Sequence, residues 1–362
     1  MTKEKESASN YLNGFNSEEK PKKKKVLKVI LHVLVVLVLM AGTLVGTYFF
    51  MNDFMPDDQI VSATDNTESS SHYDFIALQV NAGKISINDV ASFFTESETA
   101  FIRKKAGLAS FADRNLERKI RNLINKPSGV LFDKDLVSIT SLDLSNSSIQ
   151  SLEGLEFLVN LVELKLDNNY IRDLSPIQNL SNLSTINLSQ NHIRSISALS
   201  RMNNLKELDL SYNFINDAQA LMGVISLKEL NLKGNQIRDI FFLSQLSDLT
   251  TLILAENNIE EVSALSGLTN LALLDLHNNQ IVNAYGLENL SKISELILYN
   301  NKIEDISLLA GMVNLTKLDI YNNLVSDISV LDSLPSLEEL RIERNPISNF
   351  QQIEKYRRII VE

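Results

Sequence analysis

Asparagine recurs at a fixed spacing of 22 residues through most of this chain of 362 residues. Nine positions carry it: Asn169, Asn191, Asn213, Asn235, Asn257, Asn279, Asn301, Asn323 and Asn345. The apolar residues around each asparagine keep one frame, so that Leu161, Leu164 and Leu166 lead to Asn169. A period of this length, kept without slippage, indicates a solenoid of stacked repeats.

The period also implies that neighbouring units support one another. One unit buries about seven or eight apolar side chains, worth roughly 1.5 to 3 kcal/mol each. Ordering the backbone costs about 1 to 2 kcal/mol per residue, so one unit has no stability of its own. Stacked units cover each other's apolar faces. The frame runs through ten units, from Ile139 to Tyr356, and predicts a parallel sheet of ten short strands.

The frame resembles the leucine-rich repeat, whose pattern L-x-x-L-x-L-x-x-N-x-I/L supplies one short strand per unit. The strict period of 22 residues and the following I-x-D-I/L-x-x-L, as in residues 303–309, are similar to the bacterial internalin type. Residues 111–145 resemble the helical N-terminal cap of bacterial leucine-rich-repeat surface proteins. The resemblance covers residues 111–362 and implies an α/β solenoid, a horseshoe or rod with a parallel sheet on its concave face.

We interpret the recurring asparagine as structural. It stands where the chain leaves the strand at a buried bend, and its side-chain amide can donate to and accept from backbone groups that have lost strand partners. An aspartate four residues further along in five units is predicted to cap short helical turns rather than to bind calcium. These aspartates are Asp173, Asp217, Asp239, Asp305 and Asp327.

A long apolar segment lies near the N-terminus. Residues 29–51 contain no acidic residue, lysine or arginine, and as a helix they would extend about 35 Å, enough to cross a hydrocarbon core of roughly 30 Å. We predict an uncleaved transmembrane signal-anchor helix. The alternative is a cleaved signal peptide, whose apolar region is usually shorter and ends at an A-x-A-like site.

The charges beside this segment predict its orientation. Lysines at 22–25 precede it, and Asp53, Asp57 and Asp58 follow it. By the positive-inside rule, the N-terminus is predicted to be cytoplasmic and the repeats extracellular, on a single-pass protein of the cell membrane. The chain has no cysteine, which is typical of a bacterial exported protein stabilised by packing alone.

These features divide the chain into six predicted parts. They are a basic cytoplasmic tail (1–28), the transmembrane helix (29–51), a flexible spacer (52–72), a helical region with the N-terminal cap (73–135), ten leucine-rich repeats (136–356) and a C-terminal cap (357–362). Within the cap, one face of a helix that Asp113 is predicted to begin carries Leu116, Ile120, Leu123 and Ile124.

Motifs of enzymes are missing from the sequence. It has no cysteine nucleophile, no G-x-S-x-G, no glycine-rich phosphate loop and no H-E-x-x-H. We therefore predict no enzymatic activity, no cofactor and no metal site. Residues 1–28 carry +4 of a total charge of −11, which leaves −15 for the remainder (−11 − 4), and this charge disfavours a nucleic acid partner.

The outward positions of the strands change character along the array. The inner leucines of L-x-L face the core, so the residues before, between and after them line the concave face. In the second unit these include Glu163 and Lys165, whereas in the sixth to ninth units many are apolar or aromatic. The predicted partner-binding residues are Ile253, Leu273, His277, Ile297, Tyr299, Lys317 and Tyr321. Equivalent positions lie about 4.8 Å apart, so His277, Tyr299 and Tyr321 are expected to form one column of rings.

Two interpretations of this patch are open. Exposed apolar side chains in a parallel ladder can simply help neighbouring strands to pack. Alternatively, a patch of rings and aliphatic groups rimmed by Asp275, Glu295 and Asp319 is a protein-binding site, because interfaces enrich aromatic groups at a centre surrounded by polar ones.

The sequence thus predicts a membrane-anchored extracellular leucine-rich-repeat protein that binds a protein partner through its concave face, in cell-surface recognition or adhesion. The alternative is a scaffold for the cell's own envelope, secretion or division machinery. The short spacer favours the alternative, because about 20 flexible residues reach only roughly 25 Å.

Overall fold

The computed structural model describes residues 67–91, 94–348 and 350–361. The chain divides into two compact units, residues 1–106 and residues 107–362. The predicted cytoplasmic tail (1–28), the predicted transmembrane helix (29–51) and most of the predicted spacer lie outside the described residues. Among the described residues, no helix is both long and apolar enough to cross a membrane.

The described part of the first unit is helical. It contains α1 (Thr67–Asn81), α2 (Ile87–Ala91) and α3 (Glu96–Lys105). Helix α3 begins with a capping box, in which the Glu98 carboxylate accepts the N–H of Thr95 at 2.8 Å and the Thr95 hydroxyl accepts the N–H of Glu98 at 3.4 Å.

The start of α1 corrects the predicted spacer of residues 52–72. Residues 67–72 belong to this helix and are not part of a flexible linker. Ile76, Ala77 and Val80 are buried at helical spacing, and packing of this stripe stabilises the helix beyond its polar, serine-rich first turns.

The second unit opens with a small cap. Strand β1 (Leu108–Ala109) pairs antiparallel with β2 (Leu131–Phe132), and α4 (Arg114–Leu123) connects them. The carboxylate of Asp113 accepts the N–H groups of Asn115 at 2.8 Å and Leu116 at 3.2 Å, so it begins the helix.

One residue of the predicted apolar face of α4 is placed differently. Leu116 and Ile120 are fully buried against the first repeats, but Leu123 is 52% exposed, so it does not share their buried face as predicted. The helix ends at Leu123, and Ile124, the fourth residue of the predicted face, leaves the helical conformation and packs against the core.

Ten strands then form one parallel sheet in chain order. They are β3 (Ser141–Asp143), β4 (Glu163–Lys165), β5 (Thr185–Asn187), β6 (Glu207–Asp209), β7 (Glu229–Asn231), β8 (Thr251–Ile253), β9 (Leu273–Asp275), β10 (Glu295–Ile297), β11 (Lys317–Asp319) and β12 (Glu339–Arg341). Each strand pairs with the residues one period away, so that Leu296 lies between Leu274 and Leu318. The predicted solenoid of leucine-rich repeats with a helical N-terminal part is confirmed.

Short 3-10 helices make the opposite side of most repeats. They cover Leu155–Phe157, Ser175–Ile177, Ser197–Leu199, Gln219–Gly223, Phe241–Gln245, Ser263–Leu265, Ser307–Gly311 and Ser329–Ser333. Where an aspartate precedes the helix, its carboxylate accepts the N–H two residues on, as from Ser307 to Asp305 at 2.8 Å. The same contact occurs at Asp173, Asp217, Asp239 and Asp327.

The repeat that follows Asn279 turns without a 3-10 helix. Gly286 has φ +102°, and its N–H donates to the carboxylate of Glu288 at 2.6 Å. A Cβ at this position would lie 2.5 Å from the carbonyl oxygen of Val262 in the preceding repeat. The backbones of the two repeats therefore lie too close together here for any residue with a Cβ at position 286.

The buried asparagines connect consecutive repeats. Nδ2 of Asn257 donates to the carbonyl oxygens of Leu254 at 3.0 Å in its own repeat and of Leu232 at 2.9 Å in the preceding one. Its Oδ1 accepts the N–H of Ile237 in the preceding repeat at 3.0 Å. The same set of contacts recurs at all nine asparagines.

The C-terminal residues cover the last strand. Helix α5 (Phe350–Tyr356) follows the tenth strand, and the chain then returns to β12. The N–H of Leu340 donates to the carbonyl of Ile359 at 2.8 Å, and the N–H of Val361 donates to the carbonyl of Leu340 at 3.0 Å. These bonds pair backbone groups that would otherwise form an open sheet edge.

Asn257→Ala should lower the free energy of unfolding strongly. It leaves buried backbone groups of two repeats without partners, at about 1 to 3 kcal/mol for each group. Asn258→Ala is the matched control, because this neighbouring asparagine is exposed and should change stability by less than about 0.5 kcal/mol. Urea unfolding followed by circular dichroism measures both, and equal losses would contradict the role assigned to Asn257.

Gly286→Ala should destabilise the array by about 1 to 3 kcal/mol, because the new methyl group meets the backbone of the preceding repeat and the left-handed φ is strained. Gly267→Ala provides the control. A Cβ there would lie 3.8 Å from its nearest neighbour, the carbonyl oxygen of Ser244, at an ordinary contact distance. Thermal unfolding of the two variants should therefore differ, and matching midpoints would show that the Gly286 turn can relax.

Candidate partner-binding face

The outward side chains of the ten-stranded sheet form one surface, called the sheet face below, which corresponds to the predicted concave face. Strands β8 to β11 are neighbours in this sheet, so the structure brings the predicted residues of the sixth to ninth repeats together. Six of the seven are half-buried: Ile253, Leu273, Ile297, Tyr299, Lys317 and Tyr321. Their partial exposure leaves apolar and aromatic surface accessible across four strands.

His277 differs from the other six, and its predicted place at the surface is wrong. Its side chain is 6% exposed, and its ring stacks on that of Tyr299 with centroids 4.3 Å apart and planes 9° apart. Nδ1 lies 2.6 Å from a carboxylate oxygen of Asp275, and Nε2 lies 3.6 Å from one of Glu256. Two carboxylates and a ring therefore enclose the imidazole, which supports Tyr299 from below.

These contacts extend into a chain of side chains across five repeats. Nζ of Lys233 lies 3.1 Å from the carboxylate of Glu256 and 5.9 Å from the ring centroid of Tyr212. Burial disfavours the charged ammonium, but hydrogen bonds to Glu256 and Tyr212 outweigh burial and raise the pKa of Lys233. Tyr212, Lys233, Glu256, His277 and Tyr299 are called the Tyr212–Tyr299 chain below.

Tyr321 does not extend the predicted column of rings in the same way. Two guanidinium groups lie beside its ring instead, with Arg341 at 5.6 Å and Arg344 at 5.3 Å from the centroid. Cation–π contacts of this kind hold a ring in place at an exposed site. Tyr299 and Tyr321 are thus both fixed by neighbours, one by a buried histidine and the other by arginines.

The acidic rim of the patch is partly buried as well. Asp319 is only 4% exposed, so its predicted position on an exposed rim is wrong. Burial raises the pKa of Asp319, against the opposing effects of the Tyr321 N–H and of Arg341, whose guanidinium lies 3.2 Å away. Lys317 pairs with Glu339 at 3.1 Å, so its ammonium belongs to an ion pair of the sheet face.

Tyr299 keeps a hydrogen-bond donor at the surface. Burial raises the pKa of its hydroxyl, and the nearby carboxylate of Asp275 acts in the same direction. The hydroxyl therefore stays protonated at neutral pH and can donate to an acceptor on a partner. An aromatic body with a polar tip is the kind of group that interfaces enrich.

Four residues of these contacts were not predicted from the sequence: Lys233, Glu256, Arg341 and Arg344. A signal was available in the residue directly before each asparagine, which has a left-handed backbone with φ between 53° and 66° from Asn168 to Arg344. Asparagine and glycine suit this conformation, whereas other residues adopt it at a cost. The positions that depart from this preference are Gln190, Tyr212, Glu256 and Arg344, and three of them contribute to the contacts described above.

The arrangement of the sheet face is suited to non-covalent binding. Among the described residues, no group of three or more histidine, aspartate or glutamate side chains is placed to hold a metal ion. The sheet face offers apolar surface, fixed rings and a rim of paired charges. These groups can exclude water from a contact and orient a partner.

Two family models match the array. The model described as "Leucine Rich repeats (2 copies)" matches residues 137–179, 225–267, 291–333 and 313–355. The model described as "Leucine rich repeat" matches residues 159–215 and 181–237. No curated protein matches the sequence significantly.

Solved structures of similar fold include two internalins of Listeria monocytogenes. The internalin inlF is 32% identical, with a TM-score of 0.60 over 69% of this chain and 81% of that one. Internalin C2 is 33% identical, with a TM-score of 0.51 over 64% of this chain and 93% of that one.

A more distant structure shares the fold alone. The ectodomain of the Arabidopsis thaliana membrane receptor kinase GASSHO1/SCHENGEN3, in complex with Casparian strip integrity factor 2, is 21% identical, with a TM-score of 0.52 over 57% of this chain and 27% of that one. The repeat frame, the parallel sheet, the helical cap and the identity to both internalins agree, and the chain belongs to the internalin-like family of leucine-rich-repeat proteins.

Proposed function

We propose that this protein binds a protein partner through the sheet face of its sixth to ninth repeats. One observation carries the proposal: half-buried apolar and aromatic side chains continue across four neighbouring strands, although the core lies on the other side of the sheet. Packing between strands does not require rings at these positions, because the earlier strands carry polar residues there.

The rigidity of the patch supports this proposal. Tyr299 rests on the buried ring of His277, and Tyr321 lies beside two arginines. A partner would therefore meet side chains that have already lost much of their rotational freedom, which reduces the entropy cost of binding. Ile253, Leu273 and Ile297 supply the apolar surface that such rings need around them.

The relatives are consistent with a protein partner. The receptor kinase ectodomain of similar fold was solved in complex with Casparian strip integrity factor 2, and leucine-rich repeats are solenoids that bind partners on extended surfaces. For this chain, we infer non-covalent recognition rather than catalysis.

We further propose that the repeats are displayed outside the cell on the predicted transmembrane helix of residues 29–51. Helix α1 begins at Thr67, which leaves 15 residues (52–66) between that segment and the first described helix. If these residues form the predicted flexible spacer, their reach is roughly 21 Å. The short reach favours a partner close to the membrane, so the scaffold for the cell's own envelope, secretion or division machinery stands beside cell-surface recognition as a second candidate.

Tyr299→Ala and Tyr321→Ala should each weaken partner binding about thirtyfold, because removing an aromatic anchor at an interface centre costs about 2 kcal/mol or more. The full-length chain serves as bait for cross-linked capture from intact cells, with quantitative mass spectrometry of the captured proteins. Tyr170→Ala is the matched control, since Tyr170 is 51% exposed but stacks on His192 away from the sheet face.

The expected result is a protein that the parent and the Tyr170→Ala variant capture equally. The Tyr299→Ala and Tyr321→Ala variants should not capture this protein. Circular dichroism must show that all variants remain folded. If both sheet-face variants capture the same proteins as the parent, the rings belong to ladder packing and the proposed site is wrong.

Protease added to intact cells stripped of their wall should digest the repeats and spare a fragment containing residues 1–50. The reason is the predicted orientation, with lysines before the apolar segment and aspartates after it. Immunoblots against tags at both ends follow the two fragments, and lysed cells provide the control in which both are digested. Full protection of the repeats in intact cells would exclude the external location.

A further inference from the structure

A polar groove lies on the side of the 3-10 helices, between the repeats that follow Asn169 and Asn191. Its volume is about 520 Å³, within the range of roughly 300 to 1,000 Å³ that is typical of small-molecule sites. Most of the lining is polar. The polar lining residues are Arg172, Asp173, Ser175, Gln178, Asn179, Ser195, Ser197, Ser200 and Arg201.

The arginines of this groove have no acidic partner. Arg172 and Arg201 line the groove, and Arg194 stands one period after Arg172; all three side chains are exposed. None of them forms an ion pair within the described residues. The one acidic lining residue, Asp173, accepts the N–H and hydroxyl of Ser175 at 2.9 and 2.7 Å, and these bonds lower the pKa of its carboxyl group.

A second groove at an equivalent place in the array has a different set of charges. It lies three repeats further on, has a volume of about 670 Å³, and is lined by Arg238, Asp239, Glu260 and Glu261 together with Phe241. Here the arginine pairs with a carboxylate, since Arg238 and Glu260 lie 3.0 Å apart. The charged lining sums to −2 (one arginine, three acids), against +1 in the first groove (two arginines, one acid).

We propose that the groove lined by Arg172 and Arg201 binds an acidic oligosaccharide, a short glycan that carries carboxylate, sulfate or phosphate groups. Each guanidinium presents parallel N–H groups that match such anions. The hydroxyls of Ser197 and Ser200 and the amides of Gln178 and Asn179 can donate to and accept from sugar hydroxyls. The hydroxyls of Ser175 and Ser195 already donate to Asp173 and Ser197 and can still accept. This site is on the other side of the repeats from the sheet strands and does not depend on the proposed protein partner.

Other classes of ligand fit the groove less well. A protein partner would need an accessible aromatic or large apolar anchor, whereas the apolar lining residues are Leu174, which is 2% exposed, and the small Ala198. A nucleic acid would need rings on which bases can stack. The rings of Tyr170, His192 and Phe214 stack on one another, with centroids 5.7 Å apart for Tyr170 and His192 and 5.9 Å apart for His192 and Phe214, so faces of these rings are already occupied.

Isothermal titration of the full-length chain tests the proposal with four probes of similar length. These are a heparin hexasaccharide, a hexamer of galacturonate, neutral maltohexaose and hexaglutamate. At least one of the two acidic glycans should bind, with an affinity that falls as salt is added. Comparing the first two probes distinguishes sulfate from carboxylate as the preferred anion.

The variants Arg172→Gln and Arg201→Asn locate the binding site. Gln150 and Asn179 occupy the equivalent positions one repeat earlier, so both substitutions are compatible with the repeat. Each should weaken binding of the acidic glycan at least fivefold. Arg238→Gln is the matched control, because it removes the same charge from the second groove and should change the affinity less than twofold.

Four results would overturn the proposal. The first is failure of both acidic glycans to bind. The second is equal binding of maltohexaose, and the third is tighter binding of hexaglutamate, which would indicate an acidic peptide instead. The fourth is an equal loss of affinity in Arg238→Gln and Arg172→Gln, which would reflect the overall charge of the chain and not this groove.

Discussion

The hydrogen bonds of the buried asparagines set the geometry of the whole array. Each side chain satisfies carbonyl groups of its own repeat and of the preceding one, and accepts an N–H from the preceding repeat. Without these contacts, the bend at the end of each strand would leave buried backbone groups unpaired. Because the same side chain contacts both repeats, it also fixes their spacing, and the ten strands and the turns opposite them follow from that spacing.

This constraint acts only on the inward residues. The outward positions contribute little to the fold, so their chemistry can change from one repeat to the next at small cost in stability. The sheet face uses this freedom to collect apolar groups and fixed rings in the sixth to ninth repeats. The opposite side uses it to leave arginines without acidic partners between two early repeats. One scaffold therefore offers two surfaces of different chemistry, and each can be altered without the other.

The Tyr212–Tyr299 chain shows how such a surface becomes rigid without a core of its own. A buried histidine lies between two carboxylates and under a tyrosine ring, and a lysine links the chain to the repeats before it. Each contact joins neighbouring repeats at a spacing that the asparagines already impose. The regular spacing of the repeats thus also fixes the positions of side chains that face solvent.

Much of this fold follows from the sequence, and the limits have physical reasons. The spacing of the asparagines and leucines predicts the parallel sheet and its register, because residues one period apart must lie side by side. The spacing predicts on which face of the sheet a side chain lies, but it does not predict which neighbouring side chain covers it. His277 points outward as expected, yet the ring of Tyr299 lies over it. Glu256 was not predicted because its carboxylate contacts side chains of the repeats on either side, Lys233 and His277.

The cross-repeat asparagine bonds also bear on how such an array can evolve. Each bond joins an asparagine to groups 20 and 25 residues earlier in the chain, as from Asn257 to Ile237 and to Leu232. Duplication or deletion of one whole unit recreates every bond at the new junction. Loss or gain of a single residue displaces the amide from its partners in the adjacent unit. The length of the array is therefore free to change in genetic steps of one repeat, whereas smaller insertions are tolerated only in outward turns that lie outside these bonds.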